Sequence, residues 1–225
     1  MFDPPFLHHT RLTRILLVRH TDVHNPRNIV YGRLPRFGLS DLGREQAAAT
    51  AAFLRDQRAV ALYTSPRLRA RQSAEIINRV LACPRATRSN LIDEVLTGYQ
   101  GQSNDILKTE FNFYDRLARP DDETIAAIAT RMTRFLETAR RRHRGQTVVA
   151  VSHADPIMIC RTAVLGLPLT IRSLRGRYYP AKGSVMEFAY VDSASQPVVA
   201  YFDPIGAIKS SRVRTRKQEQ RTMAS

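Results

Sequence analysis

Two short apolar runs, Ile15-Leu16-Leu17-Val18 and Thr147-Val148-Val149-Ala150-Val151, each run out into a histidine: Arg19-His20 after the first, Ser152-His153 after the second. Such runs are too short for a helix and read as strands buried on both faces of a sheet. In open α/β sheets, ligands sit in the crevice beyond the carboxyl ends of the strands. The pattern therefore predicts a pocket holding two imidazoles and at least one guanidinium. That set suits a phosphoryl group. A neutral imidazole can attack phosphorus and carry the group covalently, and a planar, permanently charged arginine can meet two phosphate oxygens at once. A lone histidine closing a strand also serves as an ordinary structural residue, and an arginine beside it as a surface cation. Two such strand ends in one chain favour the pocket.

A third strand end adds to it. Tyr63-Thr64-Ser65-Pro66 leads into Arg67-Leu68-Arg69-Ala70-Arg71-Gln72-Ser73-Ala74. Proline suits the first turn of a helix, where its missing N–H is not needed. Arginines in that turn oppose the helix dipole, which prefers anions at this end, so the placement implies a nearby anion.

The remaining pattern alternates strands and helices. A helix runs from Ser40, a plausible N-cap, to about Arg55; a strand covers Val60 to Thr64, and a helix follows to about Leu81. A third strand is predicted around Thr87 to Ile92. Asp121 and Asp122 open a helix with Ile125, Ile128, Met132, Phe135 and Leu136 on one stripe, ending near Gly145. Pro156 falls in the first turn of the helix after His153, which ends near Gly166. Strands over about Ser184 to Val191 and Val198 to Phe202 complete a mixed sheet. This alternation predicts an α/β fold with three layers.

With these blocks in view, the chain resembles the histidine phosphatase superfamily, the phosphoglycerate mutase-like family. Arg19-His20-Thr21 is similar to its Arg-His-Gly signature, and Leu39-Ser40-Asp41-Leu42-Gly43-Arg44-Glu45-Gln46-Ala47 to its Leu-Ser-x-x-Gly-x-x-Gln-Ala helix start. Ser65-Pro66 with Arg69-Ala70-Arg71-Gln72-Ser73-Ala74 resembles its Ser-Pro…Arg-Ala-x-Gln-Thr-Ala block. Ile92-Asp93-Glu94-Val95 resembles its acidic segment, and Val151-Ser152-His153 its second histidine block. The likeness runs from about Leu16 to Phe188. It implies a three-layer α/β/α sandwich around a mostly parallel mixed sheet, phosphoglycerate mutase-like. His20 would be the phosphorylated nucleophile, Arg19, Arg69 and His153 the phosphate pocket, and Glu94 the proton donor, with Arg67 and Arg71 as bystanders. Asp93 competes for the donor's role, and one of the two acids could simply pair with an arginine. Burial would raise the donor's pKa and flanking arginines would lower it.

Departures from the family pattern are local. Thr21 replaces the glycine after the nucleophile, and is expected to be accommodated. Val23 stands where the family has Ser or Thr. Pro26 replaces the phosphate-binding asparagine, which makes Asn25, one place early, the candidate substrate contact. Asn28, Tyr31 and Arg33 are candidates for the substrate side, although Tyr-Gly and Leu-Pro also read as turn chemistry.

The likeness implies catalysis without cofactor or metal, and the sequence has no Cys-x-x-Cys spacing or phosphate-binding glycine-rich loop. Glu94 and His153 stand only 59 positions apart. This leaves little room for the longer insertion of cofactor-dependent mutases and favours a phosphatase acting on a small phosphomonoester. Phosphoglycerate mutase activity is the alternative, and a catalytically silent, basic anion-binding protein is a third.

The formal charge of +15 exceeds what one phosphate pocket requires. Residues 209–225 hold six basic residues against one acidic and are expected to be a disordered tail; Arg140, Arg141, Arg142 and Arg144, and Arg172, Arg175, Arg177 and Lys182, form further concentrations. They read as a solvated surface, as steering for anionic substrates into the cleft, or as a source of nonspecific nucleic-acid affinity. No aromatic platform for a nucleic acid is present, so specific nucleic-acid binding is not expected. The expected division is an N-terminal extension over 1–12, a histidine phosphatase domain over 13–204 and the basic tail over 205–225. Cys83 and Cys160 read as small core thiols of a reducing compartment. With no signal-like leader and no membrane-length apolar run, the expectation is a cytoplasmic protein without membrane contact. A homodimer is compatible with this reading.

Overall fold

The central strand explains why an unbroken apolar run was needed. In the computed structural model, which describes residues 12–206 apart from 85, 109–111, 113, 176, 192–193 and 195, strand β1 (Leu12–Arg19) lies inside a six-stranded sheet. Ile15 and Leu17 point to one face and Leu16 and Val18 to the other, and all four are at most 1% exposed. Side chains alternate along a strand, so a strand covered on both sides must be apolar at every position.

Two cores result, one on each face. Helices α1 (Asp41–Leu54) and α2 (Leu68–Leu81) cover one face with Ala51, Leu54, Ala70, Ala74 and Ile77. Helices α3 (Ile125–Arg142) and α4 (Ala154–Val164) cover the other with Ile128, Met132, Phe135, Leu136, Ile157 and Cys160. The remaining strands are β2 (Ala59–Thr64), β3 (Thr87–Arg88), β4 (Thr147–Ser152), β5 (Val185–Val191) and β6 (Val198–Phe202), in spatial order β3-β2-β4-β1-β5-β6. The pairs β3-β2, β2-β4 and β4-β1 are parallel; β1-β5 and β5-β6 are antiparallel. This is the mostly parallel, three-layer arrangement that the alternation predicts.

Two boundaries and one added element differ from the sequence reading. The third strand stops at Arg88 instead of Ile92, because the Ser89 side chain accepts from the Leu91 N–H and turns Asn90–Ile92 into a single 3₁₀ turn. The long helix begins at Ile125 rather than at Asp121 and Asp122. Thr124 is its N-cap, accepting from the Ala127 N–H, while the Asp122 carboxylate takes the backbone N–H groups of Gly98, Ala118 and Arg119. An acid that reads as a helix opener is holding a loop. A four-residue helix, α5 (Ile171–Leu174), was not anticipated.

Ser40 caps α1, accepting from the Gly43 N–H at 3.0 Å. A Cβ on Gly43 would collide with the Asp22 carbonyl oxygen, so the glycine is what lets this helix start press against the loop after His20. Both cysteines are free: Cys160 is fully buried, and Cys83 is half-buried with its thiol donating to the Ala59 carbonyl oxygen. Part of the basic character is structural, since Arg140 lies over the Tyr190 ring and donates to the Ala194 carbonyl oxygen. Of the extension expected over 1–12, only Leu12 is described, and it opens β1; of the tail expected over 205–225, only 205–206 are described, and the rest of both lies outside the described residues. Among the described residues no helix is long and apolar enough to cross a membrane.

Candidate active site

The site forms where three parallel strands end together. Arg19 pairs with Ser152 in register, the His20 N–H donates to the Ser152 carbonyl oxygen, and the Ser65 N–H donates to the Val151 carbonyl oxygen. His20 and His153 therefore leave adjacent strands side by side, with ring centroids 5.1 Å apart and exposures of 1% and 0%. Arg69 enters from the first turn of α2 and is also wholly buried.

Hydrogen bonding assigns the His20 tautomer and the Nε2 proton of His153. His20 Nδ1 lies 2.8 Å from the Thr21 carbonyl oxygen, which can only accept. Nδ1 therefore carries the proton and Nε2 keeps its lone pair. Burial holds the His20 pKa well below its usual value, and the charge of Arg69 lowers it further, so the imidazole is neutral at neutral pH. His153 donates from Nε2 to Ser65 Oγ at 2.8 Å, because Ser65 spends its own proton on Asp93. Its Nδ1 faces Glu94 Oε2 at 3.1 Å; burial lowers the His153 pKa, while the Glu94 charge acts in the opposite direction.

Arg69 joins these groups. Its Nε donates to His20 Nε2 at 3.2 Å, and its Nη2 reaches Glu94 Oε2 at 2.9 Å, His153 Nδ1 at 3.3 Å and the Gly32 carbonyl oxygen at 2.8 Å. Tyr31 lies over the guanidinium, 4.5 Å from ring centroid to Cζ, and stacks on Phe37. The Tyr31 turn depends on Gly32, whose φ of +39° and crowding by Gln100, 2.6 Å from any added Cβ, exclude a side chain. Among the described residues, two buried arginine donors at the site have no partner: Arg69 Nη1 and Arg19 Nε. Unpaired buried N–H groups are costly, and both belong to the residues expected to hold a phosphate.

The structure separates the roles of the two acids. Asp93 accepts from Ser65 Oγ, Arg67 Nε and the Glu94 N–H, and lies 3.5 Å from Arg33 Nε, so it is spent on structure. Glu94 is the acid that lines the cavity beside His20. Burial raises its pKa, but His153, Arg69 and His20 together outweigh this and hold it well below the usual carboxylate range. In the free protein it is ionised.

The cavity has a volume of about 470 Å³ and is lined by Arg19, His20, Asn25, Tyr31, Glu94 and Lys182 among others. Arg69 and His153 are not on its wall; they lie behind it. Arg19 donates from Nη1 to the Pro180 carbonyl oxygen. Asn25 lines the cavity, but its amide closes a local ring with both the N–H and the carbonyl oxygen of Ile29. Of the further candidates, Asn28 and Tyr31 reach the cavity wall. Arg33 does not, because it bonds Glu123 and the Glu94 carbonyl oxygen and ties the loop to the segment just before α3. Thr21 is accommodated as expected, with its N–H and hydroxyl on Ser73 Oγ.

Several site residues escaped the sequence reading. Ser65 links Asp93 to His153; Asp155, in the first turn of α4, accepts from the Tyr114 and Tyr179 hydroxyls at 2.6 Å each; and Lys182 pairs with Asp22 at the cavity. Lys182 read as surface charge. Only its partner Asp22, two places after His20, could have hinted otherwise.

His20, Glu94 and His153 place potential metal-ligand atoms within 4.8 Å of one another. The cation they hold is Arg69, whose guanidinium bonds to all three and would repel a metal ion at the same point.

Known proteins share this chain's sequence pattern and fold. The family model of the histidine phosphatase superfamily, branch 1, matches residues 15–196. An uncharacterised protein of Mycobacterium tuberculosis is 34% identical over 175 residues, covering 68% of this chain and 79% of that one. Phosphoserine phosphatase 1 of Hydrogenobacter thermophilus is 30% identical over 176 residues, covering 71% and 79%. Among solved structures, the Bacillus stearothermophilus protein YhfR aligns with a TM-score of 0.72 at 25% identity over 84% of this chain and 95% of that one. A phosphoserine phosphatase of Entamoeba histolytica aligns with a TM-score of 0.71 at 18% identity over 86% and 98%. With the family model spanning both histidine strand ends and the arginine helix between them, the chain belongs to the histidine phosphatase superfamily.

Proposed function

We propose that this phosphatase hydrolyses a small phosphomonoester in two steps, with His20 as nucleophile and Glu94 as proton donor. The observation that carries the assignment is the state of His20: neutral, with Nδ1 tied to the Thr21 carbonyl oxygen and Nε2 presented to Arg69. In the first step Nε2 attacks phosphorus, the P–O ester bond breaks, and Glu94 protonates the departing alkoxide. In the second step Glu94, now ionised, takes a proton from water as the water attacks phosphohistidine, releasing inorganic phosphate and restoring His20. Arg19 Nε and Arg69 Nη1 supply the donors for the equatorial oxygens, where charge develops.

The low pKa of Glu94 in the free protein fits this cycle once the substrate's charge is included. An entering dianion draws Arg69 and His153 away from Glu94, and its own charge repels the carboxylate. Both changes raise the Glu94 pKa, so the carboxyl becomes an acid only in the loaded site. The productive complex then needs one proton on Glu94, and a substrate monoanion brings that proton with it.

A pH dependence follows. The lowered pKa keeps His20 unprotonated below the range where a free histidine takes up its proton, so the acid limb is displaced downward. The monoanion is lost above about pH 6, the second ionisation of a phosphate ester. The expected profile of kcat/KM is a plateau at mildly acidic pH and a fall of about tenfold per unit above it. Steady-state kinetics from pH 4.5 to 9 checks this, and an optimum above pH 8 contradicts it.

The role of Glu94 is tested by Glu94→Gln assayed on two esters. For an alkyl phosphate, whose alkoxide must be protonated, kcat is expected to fall by about 10² to 10³-fold. For p-nitrophenyl phosphate, whose leaving group departs unassisted, the fall should be at most about tenfold. Equal losses on both esters would remove Glu94 from the proton transfer. Transfer back to a phosphoglycerate, the mutase reading, is checked by supplying 3-phosphoglycerate with its bisphosphate primer, where net phosphate release rather than isomerisation is expected.

A further inference from the structure

A second cavity of about 420 Å³ adjoins the first, and Leu107, Asp155 and Tyr179 line both. The two differ in chemistry. Beyond His20 and Glu94, the first offers Asn28, Thr97 and Asn104, groups that bond hydroxyls. The second is walled by Tyr114, Tyr179, Leu107, Ile171 and Leu174, with Asn112, Arg175 and the shared Asp155 as its polar members. Asn112 Oδ1 accepts from the Tyr114 N–H, but its Nδ2 is buried with no partner among the described residues. An aromatic and aliphatic cavity with one unused amide donor is built for a flat apolar ring bearing a hydrogen-bond acceptor.

The shared boundary supports a single ligand spanning both lobes. Asp155 is fixed there by two phenol hydroxyls, so its carboxylate is fully occupied on the protein side, and burial raises its pKa. Among the described residues that line the first lobe, the arginine and lysine are Arg19 and Lys182, and Lys182 is paired with Asp22. A leaving group with its own carboxylate would lie against the Asp155 carboxylate at this boundary.

Resting on the phosphatase reading above, we propose that the two lobes form one leaving-group site for a sugar phosphate carrying an aromatic or heteroaromatic ring: the phosphate at His20, the hydroxylated sugar in the first lobe, and the ring in the second. A nucleoside 5′-monophosphate has this plan and serves as the probe.

The experiment compares kcat/KM for adenosine 5′-monophosphate, ribose 5-phosphate and phosphoserine. The expected order places the nucleotide at least tenfold above ribose 5-phosphate and phosphoserine last. Ile171→Trp, which fills the second lobe, and Asn112→Ala, which removes its donor, should each cut the nucleotide-to-ribose-phosphate ratio at least fivefold, chiefly through KM. Thermal denaturation identifies a variant that fails to fold, and the other variant then carries the test. A ratio near one in the wild type, or one that neither variant moves, overturns the proposal while ribose 5-phosphate turnover leaves the phosphatase reading intact. Failure of the wild type to release phosphate from any of the three esters overturns both.

Discussion

Replacing His20 by alanine is expected to abolish turnover, lowering kcat by about 10⁴-fold or more on every phosphomonoester, as removal of a covalent nucleophile does. The loss should be independent of the leaving group, because no alcohol is good enough to compensate for a missing attacking atom. Rapid quenching of the wild type with a labelled ester should trap an acid-labile, base-stable phosphoenzyme at one equivalent per chain or less, and His20→Ala should trap none. The substitution also leaves Arg69 Nε without its acceptor and the Thr21 carbonyl oxygen without its donor. Thermal denataturation should therefore be recorded alongside, and His20→Asn, which can still donate to Thr21, serves as the sterically milder control. Phosphate release by either variant at the wild-type rate would remove His20 from the chemistry.

The second large effect is expected at Arg69. Arg69→Ala should reduce kcat/KM by about 10³-fold, since one oxyanion donor is worth about 10² to 10³ in rate and this residue offers an unpaired Nη1 in addition to its bonds to His20, Glu94 and His153. It should also change the shape of the pH profile. With the guanidinium gone, one of the groups that hold the Glu94 pKa down is lost while His153 remains, so that pKa moves upward. The residual activity should therefore extend to higher pH than in the wild type. Arg69→Lys restores the charge but not the fork, so it should recover little of the rate while returning the pH profile toward that of the wild type. A wild-type kcat/KM in Arg69→Ala would show that this cation does not touch the phosphoryl group.

Much of this was legible because strands and their ends leave strong traces. A strand covered on both faces must be apolar throughout, so Ile15 to Val18 and Val148 to Val151 announce the sheet, and the first polar residues after them mark its ligand-bearing edge. The residues that set the chemistry of those ends were less visible, because their meaning lies in partners distant in sequence. Asp93 and Glu94 are adjacent acids whose roles differ only through what faces them: Ser65, Arg67 and Arg33 for the first, His153 and Arg69 for the second. Arg33 and Lys182 illustrate the same point in opposite directions. Arg33 lies in the active-site loop and turns away to Glu123, whereas Lys182 sits in a basic stretch and turns in toward Asp22. Asp122 misled for a local reason, since an acid before an apolar stripe resembles a helix start whether it caps the helix or a neighbouring loop.

The alignment of Arg19 with Ser152 on neighbouring parallel strands has a lasting consequence. The gap between the two imidazoles is set by the spacing of one backbone from the next, about 4.8 Å, a dimension that no loop length or surface substitution can alter. Substitutions in the segments around Asn28, Asn104 and Tyr179 can therefore reshape the cavity wall while the two rings keep their separation.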